Sequence, residues 1–125
     1  MKNLKKHPPH MIILEVSDNS DKTSGMSGVV NNKPKTFTIN SNKYLLDSCI
    51  IRDTSQQHFC ATLTCENKEM GYDGMSFHRL VNMEWKKYIN SNYIWEFEGS
   101  NNLDGTPLKW NFRHGYQMLF YYRIK

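Results

Sequence analysis

The chain has 125 residues and carries 16 Lys and Arg against 12 Asp and Glu, a formal net charge of +4. That length holds one domain with a real core and excludes two ordinary ones. Aromatic residues at 13% exclude a disordered chain. A single alanine, Ala61, among many Val, Ile, Thr, Tyr and Phe excludes a helical bundle and favours β-structure.

The first ten residues hold Lys2, Lys5, Lys6 and Pro8-Pro9 and read as a flexible basic N-terminus ahead of one β-rich domain over 11–125. Met11 to Val16 is a short strand. Ser17 to Pro34 is rich in Ser, Asn, Asp, Lys and Gly and reads as a long mobile loop at 17–34, with little apolar area to offset ordering. Lys35 to Asn40 alternates polar and apolar residues, as a half-buried strand does. Tyr44 to Ile51 is apolar on both faces except at Asp47 and Ser48, which suits a central covered strand. After a turn at Asp53 to Gln57, His58 to Cys65 alternates again and forms a hairpin with the preceding strand. Phe59, Ala61, Leu63 and Cys65 share one face, taken as the core side. His58, Cys60, Thr62 and Thr64 share the other.

Glu66 to Lys68 is a turn, and Met70 to Asp73 a further strand ending at Gly74. Asn82 to Asn90 is the one helix expected: Asn82 caps it, Glu84 lies in its first turn, and Trp85, Tyr88 and Ile89 form an i, i+3, i+4 stripe. Tyr93 to Phe97 and Leu108 to Phe112 read as strands flanking a loop at Gly99 to Pro107. Tyr116 to Arg123 is the last strand, with Tyr116, Met118, Phe120 and Tyr122 expected to face the core. The fold class is therefore mainly β (α+β), an antiparallel sheet with one short helix.

No apolar run approaches the length of a membrane span, so no membrane partner is expected. Three cysteines, Cys49, Cys60 and Cys65, lack a disulfide-framework spacing and fit reduced thiols in a cytoplasmic or nuclear setting. They do not make a metal site: Cys60 and Cys65 differ by an odd number, so on a strand they point to opposite faces. No metal and no cofactor are expected. The mild basic charge does not by itself call for nucleic acid. Thirteen Asn and twelve Lys beside one Ala suggest an AT-rich, viral or parasitic genome.

Two residues stand out chemically. His58 opens a strand after a polar turn, where scaffolds place reactive groups. Asp73 follows fifteen residues later. The turn at 66–69 returns the chain toward His58, within direct or one-water reach of a carboxylate. Such an acid fixes the tautomer of a catalytic imidazole and stabilises its charged form. A strand histidine and an Asp-Gly turn are the ordinary alternatives.

The whole series resembles the C-terminal part of the ubiquitin-specific protease family, papain-like cysteine deubiquitinases. The matching pieces, in order, are Pro9 to Leu14, Tyr44-Leu45-Leu46, Gln57-His58-Phe59, Tyr72-Asp73-Gly74 and Tyr116 to Tyr121. The family's Gly-His-Tyr box is Gln57-His58-Phe59 here, and its Trp before the acidic segment is replaced around Met70-Gly71. The resemblance implies His58 and Asp73 as catalytic residues, with Gln57, Phe59 and Tyr72 lining a binding site for ubiquitin or a ubiquitin-like protein. It also implies a nucleophilic cysteine far upstream, at a helix N-terminus in a separate subdomain, which these residues do not offer. Cys49, Cys60 and Cys65 all read as strand residues, without the helix end or cation that populates a thiolate. The expectation is a fragment, split partner or degenerate copy, inactive alone, with the nucleophile on an upstream partner chain. A non-catalytic protein-binding or virion structural β-domain is the alternative, and a basic nucleic-acid-binding module the third reading.

Overall fold

A computed structural model of the chain describes residues 8–17, 32–53 and 58–124. Gln57 and most of the segment read as a mobile loop, 18–31, lie outside the described residues. The loop's two ends do not: Ser17 belongs to the first strand and Lys33 is buried. At the start of the chain, Pro9 O accepts from Tyr44 Oη at 2.8 Å and His10 O accepts from the Arg123 amide at 2.9 Å.

Among the described residues nine strands form: β1 (Met11–Ser17), β2 (Thr36–Ile39), β3 (Asn42–Asp53), β4 (His58–Cys65), β5 (Lys68–Tyr72), β6 (Leu80–Asn82), β7 (Trp95–Asn101), β8 (Pro107–Trp110) and β9 (Tyr116–Arg123). Seven make one antiparallel sheet in the order β1-β9-β3-β4-β5-β6, with β2 paired to the start of β3. β7 and β8 form a separate ribbon. The mainly β reading holds. Two tight turns set the hairpins: Asn40-Ser41 and Glu66-Asn67 each adopt positive φ at both central positions. Such two-residue turns match the twist of the strands they join, and Asn tolerates this backbone best.

A bulge at Asp47 explains why β3 reads as apolar on both sides. Leu46 pairs with Tyr121 and Ser48 with Phe120, leaving Asp47 unopposed. The inward set is then Tyr44 and Leu46 before the bulge, Cys49 and Ile51 after it, all buried. Their neighbours Val16, Cys60, Thr62, Gln117, Leu119 and Tyr121 complete the inner face. Trp85, Ile89, Trp95, Phe97, Leu108, Trp110 and Phe112, also buried, cover it.

This reverses two expectations. On β4 the core side is that of His58, Cys60 and Thr62, while Phe59 is 54% exposed. On β9 the core side is Gln117, Leu119 and Tyr121, not Tyr116, Met118, Phe120 and Tyr122. Both strands carry apolar residues on both faces, so alternation alone does not reveal which face the ribbon covers.

The expected helix over Asn82–Asn90 is also corrected. Asn82 pairs with Met70 as the end of β6, and only a 3-10 turn at Lys86–Tyr88 follows. The Lys86 amide donates to Glu69 Oε1 at 2.8 Å and the Met83 amide to Glu69 O at 3.0 Å. These bonds tie the segment to β5. A nine-residue helix without alanine has little intrinsic stability to oppose them. The stripe itself is real: Trp85 and Ile89 are both buried, and Trp85 Nε1 donates to Leu63 O at 3.0 Å.

Candidate functional site: a buried His–Asp pair under the ribbon

Asp73 stands one residue past the end of β5, where Tyr72 pairs with Ala61. Its next position therefore faces Cys60, with His58 one step further along the same face. The chain turns sharply at this point. Asp73 Oδ1 accepts from the Met75 amide at 2.9 Å, and Asp73 O accepts from the Ser76 amide at 3.1 Å. The Asp-Gly sequence thus makes its turn and also aims a carboxylate inward.

His58 Nε2 lies 3.1 Å from both Asp73 oxygens. The carboxylate is fully buried, and the imidazole side chain keeps 19% exposure. A buried carboxylate needs every lone pair satisfied. The Met75 amide serves one oxygen, Ser100 Oγ donates to the other at 2.7 Å, and the Nε2 proton is shared between them. With Nε2 so engaged, Nδ1 is the nitrogen left to exchange a proton with a reacting group.

The ribbon supplies the clamp. Ser100 Oγ is also 3.5 Å from His58 Nε2, and the Trp110 ring lies 5.7 Å from the imidazole, tilted by 41°. Ser100 points inward only because β7 is irregular. Trp95 and Phe97 face the core, and the register then shifts between Glu96 and Asn101, so that Ser100 rather than Gly99 is buried. Gly99 holds φ +90, and a Cβ there would lie 2.6 Å from the Phe77 ring. No other residue fits that point. Sequence reading missed Ser100 because the segment from Gly99 to Pro107 looks like a loop, and missed Trp110 as a site residue because it reads as core.

Phe59 and Tyr72 point to the opposite, outer face of the sheet, and the structure does not bring them to the pair. Phe59 lies under the Arg52 guanidinium at 5.9 Å. Cys60 shares the face of His58 and is buried. Burial, then the charges of Cys49 and Asp73, pushes its thiol well above the ordinary range. Burial likewise pushes Cys49 up to about 12. Neither is a thiolate at neutral pH. Cys65 is exposed at the far end of β4. Among the described residues no group of three His, Cys, Asp or Glu could hold a metal ion, and no helix is long and apolar enough to cross a membrane.

Elsewhere in the core, Lys33 is buried. Its Nζ donates to Phe112 O and, at 3.0 Å, to Gln117 Oε1. Burial lowers its pKa to about 8, with the charge of Arg113 adding to the effect and that of Cys49 opposing it.

Comparison with protein-family models, with curated proteins and with solved structures finds no match. The class defined by fold and site is an antiparallel β domain with a His–Asp pair at the ends of two interior strands, β4 and β5, its carboxylate buried.

Proposed function

We propose that the chain is a ubiquitin-specific-protease-like module that supplies the His58/Asp73 half of a thiol-hydrolase site. The observation that carries the reading is the pinned imidazole: Nε2 held at 3.1 Å by both oxygens of a buried carboxylate. A structural histidine needs only one acceptor. Here a buried carboxylate, itself held by the Met75 amide and the Ser100 hydroxyl, fixes one ring nitrogen and leaves the other to work. In the proposed reaction Nδ1 takes the proton of an incoming thiol, whose thiolate attacks the carbonyl carbon of a ubiquitin-like tail. The imidazolium then returns the proton to the leaving amine, and water cleaves the thioester. Asp73 stabilises the imidazolium, and Ser100 holds Asp73.

The chain's own thiols do not serve as nucleophile, because burial keeps Cys49 and Cys60 protonated and Cys65 faces away. The thiol nucleophile comes from a partner chain, since Cys49, Cys60 and Cys65 are the three cysteines of these 125 residues. The chemistry belongs to a reducing, intracellular setting.

The test is release of a fluorophore from the C-terminus of ubiquitin, with NMR mapping of ubiquitin added to the labelled chain. The chain alone gives no turnover, and ubiquitin perturbs the amides of His58 and Cys60 unless its tail is removed. Turnover that survives Cys49→Ala and disappears with Cys60→Ala would make Cys60 the nucleophile. Absence of perturbation near His58, with any modifier of this family, removes the reading and leaves a non-catalytic protein-binding domain. The apolar outer face of the sheet favours that second reading.

A further inference from the structure

The sheet carries a second apolar face that the ribbon does not cover. One row crosses all six strands of its main path: Glu15, Met118, Ile50, Ala61, Tyr72 and Leu80 are successive cross-strand partners. Ile13 and Phe120 pair beside this row on one side, with Met11, Tyr122 and Leu45 beyond them. Arg52 and Phe59 flank it on the other. Met11, Ile13, Leu45, Phe59, Tyr72, Leu80 and Tyr122 are all exposed. Monomeric soluble domains seldom leave a contiguous apolar patch of this breadth in water.

We infer that a second copy of this chain packs on this face, sheet against sheet, about a two-fold axis in the plane of contact. Two features select that occupant. The first is area. Six strands of 3 to 12 residues, spaced about 4.8 Å apart and about 24 Å long on average, present roughly 600 Å² in projection. Side-chain relief raises this toward the roughly 800 Å² per partner of a stable interface. The second is charge. Within the apolar field Glu15, at one edge, Arg52, near the middle, and Asp47, beside Ser48 at the β3 bulge, are charged; Lys43 and Lys68 stand at strand ends. Among the described residues neither Glu15 nor Arg52 forms an ion pair, and the Arg52 guanidinium rests over the Phe59 ring at 5.9 Å. The two lie two strands apart and about 12 Å from each other by strand geometry, too far to pair within one chain. A two-fold axis midway between them brings Glu15 of each copy to Arg52 of the other, so a self-complementary face satisfies both charges twice. The surface is distinct from the His58 side of the sheet, so this inference stands whether or not the chain acts on ubiquitin.

Sedimentation equilibrium over about 1–100 µM, with thermal melts over the same range, tests it. The parent should be a dimer in the micromolar range, with a midpoint that rises with concentration. Tyr72→Lys should raise the dissociation constant at least about tenfold. Glu15→Arg and Arg52→Glu should each weaken self-association, because like charges then meet. An equal mixture of the two should form a heterodimer as tight as the parent, since every contact again joins opposite charges. A parent that stays monomeric with a concentration-independent midpoint overturns the inference, whether the face is open or covered by residues 18–31 or by another protein. A dimer indifferent to Tyr72→Lys, or a mixture that fails to associate, overturns it as well.

Discussion

Removing the Ser100 hydroxyl isolates the ribbon's hold on the pair. Ser100 and Asp73 are both fully buried, and their bond is 2.7 Å long. A hydrogen bond to a buried charge contributes about 1.5–3 kcal/mol, and water cannot replace it at a site with no access. At about 2.1 cal/mol/K of unfolding entropy per residue, that loss lowers the midpoint of a domain this size by roughly 6–11 °C. Thermal unfolding of Ser100→Ala against the parent at neutral pH is the assay, and Ser100→Thr should recover most of the loss. In an Asp73→Ala background the same Ser100→Ala change should cost less than about 0.5 kcal/mol, because its acceptor is gone. A change of less than about 0.5 kcal/mol in the parent background would refute the reasoning, since the carboxylate would then be satisfied without the ribbon.

Lys33 should make stability rise with pH. Its folded pKa, about 8, lies below the ordinary 10.5, so the unfolded chain binds more protons between those values. Relative to Lys33→Met, the parent's midpoint should climb from pH 8 to pH 10; parallel profiles would contradict the buried amine. Gln117 Nε2 still donates to Phe112 O at 2.8 Å, so the methionine variant should fold. Thiol labelling of the native chain should modify Cys65 fast and Cys49 and Cys60 only at the rate of opening. Fast modification at Cys60 would contradict its burial and reopen it as a nucleophile.

Much of the sheet is legible in the sequence because period-two alternation survives in β2 and β4, and because Asn and Ser mark the tight turns. The meeting of His58 and Asp73 is legible too, since a two-residue turn at Glu66-Asn67 fixes the register that aligns them. Which face of β4 and β9 is the core is not legible. Phe59, Ala61 and Leu63 make as good an inner face as Cys60 and Thr62, and only the ribbon's position decides. Ser100 depends on a backbone irregularity at Gly99 that reads from the sequence as the start of a loop. The helix over Asn82–Asn90 failed for a tertiary reason, Glu69 taking the Lys86 amide, which no local pattern announces.

The central claim is that Asp73 holds the Nε2 proton of His58 and leaves Nδ1 to a reacting group. Nitrogen-15 NMR of the imidazole at a pH where the ring is neutral reads this directly. The account predicts that His58 is the Nε2–H tautomer in the parent, with Nδ1 unprotonated, and that Asp73→Ala releases the ring to a mixture of tautomers. A parent ring protonated at Nδ1, or one whose tautomer is indifferent to Asp73→Ala, would contradict it.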